Sequence, residues 1–590
     1  MHEMNSTMVR NMTSCWSRVG VTARVLVLTV AFVVAFIVPA AAQTVQTSEY
    51  GYPLKHAPRP TTAAITMEDL MTRLYIFADD SMQGRQTGRV GNMKGTAYIA
   101  RELERIGLRP AGDDGSFFQA LPYSVRRYTD GSTLSVNGRA LGWNTDWLAV
   151  PSRTPPLRIA NAQVIYGGIA GDTTQQITSQ QAMGRLVLLS PGAQGGRGGR
   201  GGGRRGGGAP ANRFANAAAV ATVDLDNLSP AARALVNDPA GQLDNPQNAT
   251  TPEPGPANLR ITAAAAAILL GRNVEGAAPG TTGGTVSGRL DYVVQPVPEY
   301  GRNVVAILPG SDPVLRNQYV AIGAHNDHVG YTANAVDHDS LRAFASARLA
   351  RQIQGGELRS ATADDLASIR VNVDSLRRIR PARPDSIRNG ADDDGSGSMA
   401  VLEIAEALAA MNPRPRRSIL FVWHTGEESG LSGSRWYVQN PTVARDSIVA
   451  AINIDMIGRG RATDLPGGGD DYLAVVGSDS LSNDLGDIVR GLNQRQSRPF
   501  RLDYRFDRPT DWPGYNNIYN RSDHANYARS GIPIAFFFTG LHQDYHQVTD
   551  EPQYIDYPHY TAITRYIGDL MVQIGNRAQR PAVKGPVSNQ

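Results

Sequence analysis

The sequence predicts an α/β protein with a mixed, mostly parallel central sheet flanked by helices and interrupted by a small β-rich domain. Continuous apolar segments of strand length alternate with helix-period segments in the second half of the 590-residue chain. Strands that are apolar throughout are typical of sheets covered on both faces. Between residues 140 and 295, short apolar runs are separated by Gly, Pro, Asn and Thr, which indicates the β-rich insertion.

The N-terminal segment has the order of residues found in an export signal. Three arginines precede the apolar run Val25–Val38, and Pro39 and small residues follow it. The apolar run has 14 residues, fewer than the roughly 20 that a membrane-spanning helix needs. We therefore expect cleavage after Ala42 and a secreted or periplasmic protein without a membrane span. Cys15 is the single cysteine and lies in this segment, so the mature protein would have no disulfide.

Composition argues against nucleic-acid binding. The formal net charge is only +4, because acidic residues are nearly as numerous as basic ones. An Arg/Gly-rich segment at 195–208 resembles RNA-binding repeats, but it lacks interleaved aromatic residues. We interpret it as a solvated surface loop of the inserted domain and expect no nucleic-acid partner.

Helix signals appear before the inserted domain. Thr66 with Asp69 three positions later indicates a helix N-terminus. A second helix is predicted from Gly95 to Ile106, with Gly107 ending it. The chain is thus expected to comprise the following parts: signal 1–42, N-terminal part of the main domain 43–139, inserted domain 140–295, main domain 296–577 and tail 578–590.

The main domain contains four strand candidates and one long helix candidate. The strands are predicted at Tyr319–Gly323, Ser418–Trp423, Val449–Ile454 and Ile534–Phe538, and the helix at Ser398–Met411. An insertion at 335–388 is rich in Arg, Asp and Ala. We expect a mostly helical surface element, because apolar residues recur there at helical spacing: Leu341, Ala345, Leu349 and Ile353.

Residues able to bind metal follow these strands or precede the helix. His325, Glu428, Asp455 and His546 stand at such positions, and three consecutive acids, Asp392 to Asp394, open the helix. Open α/β sheets bind ligands at the carboxyl ends of their strands. Two imidazoles and three carboxylates can hold two zinc ions with a water between them. A further acid, Glu427, could accept the proton of that water, so the pattern predicts a hydrolase.

Together these motifs resemble the M28 family of zinc aminopeptidases. The intervals of 35 residues from Asp393 to Glu428 and 27 from Glu428 to Asp455 are typical of that family. The helices near 66–119 resemble its N-terminal segment, and 140–295 resembles the protease-associated (PA) domain often inserted in it. The resemblance implies the zinc-peptidase fold, two Zn²⁺ ions and the removal of residues from peptide or protein N-termini.

The resemblance also implies a role for each site residue. Asp393 would bridge both zinc ions, His325 and Asp455 would bind one of them, and Glu428 and His546 the other. Glu427 would be the general base, Asp327 would orient His325, and Tyr545 would donate a hydrogen bond to the developing oxyanion. The segment Arg521–His524 resembles the family's Ser-Asp-His signature and would lie behind the ligands. We interpret two further histidines as structural, His328 and His424.

Other activities remain open at this stage. Carboxypeptidase or dipeptidase action could use the same site, and a glutaminyl-cyclase-like acyltransferase would need only one zinc. A non-catalytic relative would be expected to have lost ligands, and this chain has lost none. The insertion at 335–388 departs from the family pattern and is expected to affect substrate access.

Overall fold

The computed structural model describes residues 47–151, 158–192, 213–228, 230–244, 255–354, 357–507 and 517–584. The chain divides into one unit at 1–45 and another at 46–590, and the described residues all lie in the second. The predicted signal at 1–42 and the Arg/Gly-rich segment at 195–208 lie outside the described residues. Among the described helices, none combines the length and the apolar character needed to cross a membrane.

The helices begin and end as follows, in chain order: α1 Met67–Phe77, α2 Val90–Ile106, α3 Ser179–Ala182, α4 Pro230–Asn237, α5 Ala263–Leu270, α6 His338–Gln352, α7 Ala363–Ser368, α8 Val373–Ile379, α9 Gly397–Ala409, α10 Ser432–Gln439, α11 Asn483–Gln494, α12 His524–Arg529 and α13 Tyr557–Asn576.

The first strands belong to the N-terminal and inserted regions: β1 Arg109–Pro110, β2 Phe118–Ala120, β3 Tyr123–Tyr128, β4 Thr133–Val136, β5 Arg139–Leu141, β6 Trp147–Val150, β7 Arg158–Ile169, β8 Leu186–Ser190, β9 Ala219–Val223, β10 Gln242–Leu243, β11 Ala257–Ile261, β12 Thr282–Arg289 and β13 Tyr292–Pro296. The remaining strands lie in the main domain: β14 Arg302–Leu308, β15 Tyr319–His325, β16 Tyr331–Asp337, β17 Ile353–Gln354, β18 Glu357–Leu358, β19 Pro384–Ile387, β20 Ser418–His424, β21 Ile448–Ile454, β22 Tyr472–Val476, β23 Arg501–Asp503 and β24 Ile534–Phe538.

The main domain is built on a nine-stranded mixed sheet. Its order is β1-β14-β20-β15-β21-β24-β22-β23, and β2 also pairs with β14. The four central strands β20, β15, β21 and β24 are parallel, whereas β14 runs antiparallel to β20 and β22 runs antiparallel to β24. The predicted α/β class and mixed sheet are confirmed.

Helices cover both faces of this sheet, which explains why its strands are apolar throughout. In β20, Phe421 and Trp423 pack in the layer formed by α1, α2, α9, α11 and α13. The alternate residues Leu420 and Val422 pack in the opposite layer with α10 and α12. Successive side chains of a strand point to opposite faces, so each face needs its own apolar set.

The N-terminal helices confirm two predicted boundaries, the start of α1 and the end of α2, but α2 begins at Val90 and not at the predicted Gly95. The Thr66 side chain accepts a hydrogen bond from the backbone N–H of Asp69 at the start of α1. Gly107 ends α2 with φ of 82°, a left-handed conformation that favours glycine because other residues carry a Cβ. These two local predictions are confirmed.

The inserted domain contains an eight-stranded mixed sheet with the order β5-β4-β12-β7-β8-β9-β11-β6. It has an apolar core of its own around Trp147 and Val164. The sheet begins at Thr133 rather than at residue 140, because β4 pairs with β12 and so belongs to this domain. A separate three-stranded sheet, β10-β3-β13, adjoins it in sequence. Its likeness to a PA domain stays a prediction.

The insertion at 335–388 contains helices α6, α7 and α8 together with short strands. β16 and β19 pair antiparallel and bring its two ends together. Ala345 and Leu349 are buried on α6, as the helical spacing predicts. Arg342, also on α6, forms ion pairs with Asp544 and Glu49. The insertion therefore contacts the loop that carries His546.

Arg73 on α1 joins three helices through buried charges, which leads to a stability prediction. Its guanidinium lies 2.7 Å from Glu403 on α9 and 3.0 Å from Glu102 on α2, and it has no exposed surface. Arg73→Ala would leave the Glu403 carboxylate buried without a cation. We expect a loss of about 3–5 kcal/mol in the free energy of unfolding, measured by urea denaturation. Unfolding should be measured at a pH above the pKa of Glu403, where this carboxyl is charged. Burial raises that pKa to about 7.

Arg105→Ala is the matched control for this prediction. Arg105 pairs with Glu102 and Glu406 in the same network, but its side chain is 44% exposed. Exposed ion pairs contribute about 0–1 kcal/mol, so this variant is expected to stay near the wild type. Equal losses in the two variants would contradict a special role for the buried arginine.

Candidate metal centre

The predicted ligands meet at one edge of the central sheet. His325 is the last residue of β15, and Asp455 directly follows β21. Glu427 and Glu428 lie in the turn between β20 and α10, and His546 lies in the loop after β24. Because these four strands are parallel, their carboxyl ends meet at the same edge.

The turn at residues 391–396, before α9, contributes three consecutive acids with different tasks. Asp392 accepts a hydrogen bond from the N–H of Gly458 at 2.6 Å, and Asp394 accepts one from the N–H of Met456 at 3.2 Å. Both carboxylates thus hold the loop after β21. Of the three, Asp393 has the carboxylate that faces the predicted ligands, as the predicted bridging role requires.

Asp393 connects two groups of potential ligands. In the first group, His325 Nε2 lies 3.1 Å from Asp393 Oδ1 and 3.5 Å from Asp455 Oδ1. In the second, His546 Nε2 lies 3.0 Å from Asp393 Oδ2 and 3.1 Å from Glu428 Oε2. The ligand atoms within each group all lie within 4.8 Å of one another. Two cation sites sharing one carboxylate are therefore available.

The chemistry of these donors fits zinc. Imidazole nitrogen and carboxylate oxygen are zinc ligands. Several of the converging atoms are buried and make no properly directed hydrogen bond: His325 Nε2, Asp393 Oδ2, Glu428 Oε1 and His546 Nε2. A buried polar atom without a partner costs about 1–3 kcal/mol, so cations between the ligands would stabilise this arrangement.

The electrostatic environment also favours cations. Burial lowers the pKa of His325, but the charges of Asp455 and neighbouring carboxylates outweigh burial and raise it well above its ordinary value. Burial likewise opposes protonation of His546, but Glu428 and Asp393 raise its pKa to about 10. Both rings would hold protons unless metal ions replaced them.

Glu427 is a further buried acid beside the predicted ligands. It lines the same cavity as Asp393 and Asp455. Burial raises the pKa of the Glu427 carboxyl well above its ordinary value, against the opposing charge of His325, and Glu428 adds to the effect. A carboxylate whose charged form is disfavoured in this way readily accepts a proton.

Asp327 positions two parts of the site. Its carboxylate accepts hydrogen bonds from the Thr87 hydroxyl at 2.7 Å and from the Glu427 N–H at 3.1 Å. The Nδ1 atom of His325 lies 3.0 Å from the Asp327 carbonyl oxygen and 3.7 Å from its carboxylate. The closer partner of His325 is therefore the backbone carbonyl, because the carboxylate is directed toward the turn that carries Glu427.

A cavity beside the ligands is lined by both polar and apolar side chains. Tyr545 stacks on the ring of His546 at 3.8 Å between ring centroids, and its hydroxyl lies 3.4 Å from Arg521. Apolar side chains line the cavity as well: Met456, Ile518, Phe536, Phe538 and Leu541.

The histidines interpreted as structural differ in their positions. The Nε2 atom of His424 lies 3.0 Å from the Tyr527 hydroxyl, and burial lowers the pKa of His424 to about 3. His328, in contrast, belongs to the second ligand group, with Nδ1 at 2.9 Å from Glu428. The sequence offered one indication that His328 lies near the ligands, because it stands three residues after His325 in the same motif. In the segment 521–524, His524 stacks on Phe536 behind the cavity wall.

Comparison with known proteins identifies the domain that carries these residues. The sequence model of peptidase family M28 matches residues 303–571, which include every predicted ligand. Residues 303–571 belong to peptidase family M28. The chain is 31% identical over 172 residues to leupeptin-inactivating enzyme 1 of Streptomyces exfoliatus, a match that covers 29% of this chain and 33% of that protein.

Two further similarities extend this comparison. An aminopeptidase of Pseudomonas aeruginosa is 33% identical over 156 residues, covering 26% of this chain and 26% of that protein. The chain thus matches a third or less of the length of these two relatives. The solved structure of BSAP, a zinc aminopeptidase from Bacillus subtilis, is 16% identical with a TM-score of 0.45, covering 87% of this chain and 96% of that one.

Proposed function

We propose that this M28 protein is a dinuclear zinc aminopeptidase that is exported and removes single residues from peptide N-termini. The observation that carries the proposal is the pair of ligand groups sharing Asp393, with Glu427 beside them in one cavity. Relatives named aminopeptidase support the same activity. Export rests on the sequence order around Val25–Val38 and stays a prediction.

Each residue of the site would have a separate role in the reaction. Two zinc ions, when bound by these groups, would lower the pKa of a water and polarise the scissile carbonyl. The Glu427 carboxylate would take a proton from the attacking water and later deliver it to the leaving amine. The Tyr545 hydroxyl would donate a hydrogen bond to the oxygen that becomes negatively charged. Asp327 would hold the Glu427 backbone in place through its 3.1 Å hydrogen bond.

The cavity supports an N-terminal substrate with an apolar first side chain. Three acids line the cavity, Asp393, Glu427 and Asp455; zinc would neutralise the first and the last, which leaves the Glu427 carboxylate to attract an α-ammonium group. The apolar lining that includes Met456 and Phe538 favours an apolar side chain over a charged one. We therefore expect Leu, Met and Phe to be released faster than Asp or Glu.

A mixed peptide pool tests the direction of cleavage. The mature protein, loaded with zinc, is incubated with free, N-acetylated and C-amidated forms of the same peptides, and the products are read by mass spectrometry. We expect stepwise loss from free N-termini, equal rates on C-amidated peptides and no reaction on N-acetylated ones. Trimming from C-termini would overturn the proposal in favour of a carboxypeptidase. Cyclisation of N-terminal glutamine with one zinc per chain would overturn it in favour of a glutaminyl-cyclase-like enzyme.

A further inference from the structure

The ring of His328 is fully buried against the second ligand group. Its side chain has no exposed surface, and Nδ1 lies 2.9 Å from Glu428 Oε1 and 3.7 Å from Asp393 Oδ2. It meets the ring of His546 edge to face, with 5.5 Å between centroids and 74° between planes. Four side chains from different segments, instead of three, thus surround the second cation position.

A purely structural histidine would be expected to make a well-aligned hydrogen bond through its ring, whereas the close polar contacts of His328 Nδ1 are with the carboxylates of two predicted ligands, Glu428 and Asp393. Both Nδ1 and Nε2 are buried and have no directed hydrogen-bond partner among the described residues. His424, the comparable buried histidine of the neighbouring strand, has the Tyr527 hydroxyl within 3.0 Å. Leaving a ring nitrogen unsatisfied costs about 1–3 kcal/mol, and a cation at Nδ1 would remove that cost.

The surrounding backbone holds the ring in this place. The N–H of His328 donates to the Arg85 carbonyl at 3.2 Å. Gly390 has φ of +56°, and a Cβ added there would lie 2.5 Å from Cγ of His328. The Arg85 guanidinium donates to the Gly390 carbonyl at 2.8 Å, which fixes the glycine against the ring. The position of His328 is therefore built by two separate segments of the chain.

We propose that His328 is a fourth protein ligand of the cation bound by Asp393, Glu428 and His546. The two cation sites are then unequal. The group with His328 offers four ligand atoms, the number found in closed zinc sites, whereas the group of His325, Asp393 and Asp455 offers three. The four-residue group binds zinc first and the three-residue group binds it second. This inference rests on the proposed dinuclear site but not on the identity of the substrate.

X-ray absorption at the zinc edge tests the proposal without any measurement of activity. The metal-free full-length mature protein receives one equivalent of zinc, and the imidazole ligands per zinc are counted. We expect about two imidazoles in the wild type, from His328 and His546, and an average of about 1.5 at two equivalents. A count of one at both loadings would overturn the proposal, and this measurement needs no variant.

Matched variants assign the ligand. His328→Gln is expected to lower the count at one equivalent to about one and to weaken the first binding step by about 100-fold or more, measured by competition with a chelator. His325→Gln is expected to weaken the second step, and His424→Gln to change neither. An unchanged imidazole count in His328→Gln would show that His328 lies outside the coordination sphere. Two bound zinc ions without peptide cleavage would contradict the proposed function and leave this inference intact.

Discussion

Glu427→Gln is expected to lower kcat roughly 10²–10⁴-fold while the protein keeps both zinc ions. The amide has nearly the shape of the carboxylate, but it cannot accept the proton of the attacking water. The hydrogen bond from the Glu427 backbone N–H to the Asp327 carboxylate does not involve the substituted side chain and would persist. The measurement is kcat on leucyl-anilide, with the zinc content of each preparation determined in parallel. Retained turnover would remove Glu427 as the base.

Two neighbouring variants serve as controls for this result. Glu428→Gln changes the adjacent residue, whose carboxylate lies 3.1 Å from His546 Nε2, and is expected to lose zinc as well as activity. Tyr545→Phe removes only a hydroxyl and is expected to lower kcat with zinc content and KM little changed, by up to about 10²–10³-fold. If Glu427→Gln also lost zinc, its effect would be one of ligation rather than proton transfer.

Removal of the metal ions is expected to abolish hydrolysis completely and reversibly. Without cations, the converging atoms around Asp393 keep unsatisfied buried groups and unbalanced negative charge. Dialysis against a chelator should end turnover, and addition of zinc should restore it. Turnover that survived in metal-free protein would contradict the assigned role of all five ligands.

The same treatment is expected to lower thermal stability. A ligand that binds only the folded protein stabilises it by about 2.7 kcal/mol when its concentration is 100 times Kd. The metal-free protein should therefore unfold at a lower temperature than the zinc-loaded protein in calorimetry. Arg73→Ala, which lies on α1 away from the ligands, should show the same zinc-dependent shift from its lower starting point.

Local sequence patterns were sufficient for four strands and one helix of the main domain. Strands such as Ile534–Phe538 are recognisable because both of their faces are buried, which leaves no polar alternation. The end of α2 at Gly107 was also predictable, since a left-handed backbone favours one residue type. The boundary of the inserted domain could not be predicted in this way. The sheet to which β4 belongs depends on its pairing with β12, in which Ser135 lies opposite Ser287, 152 residues later in the chain.

The sequence by itself determined the fold class, the strand ends at which ligands stand and the residue types available to bind zinc. These features depend on neighbouring residues and on the ordered intervals between motifs. The family resemblance already selected Asp393 among three consecutive acids, but only the tertiary structure decided that Asp392 and Asp394 hold backbone N–H groups. Only the tertiary structure brought His328 within 2.9 Å of Glu428, 100 residues later in the chain. The reason is physical: the direction of a buried side chain is set by contacts between distant segments, which local patterns do not record.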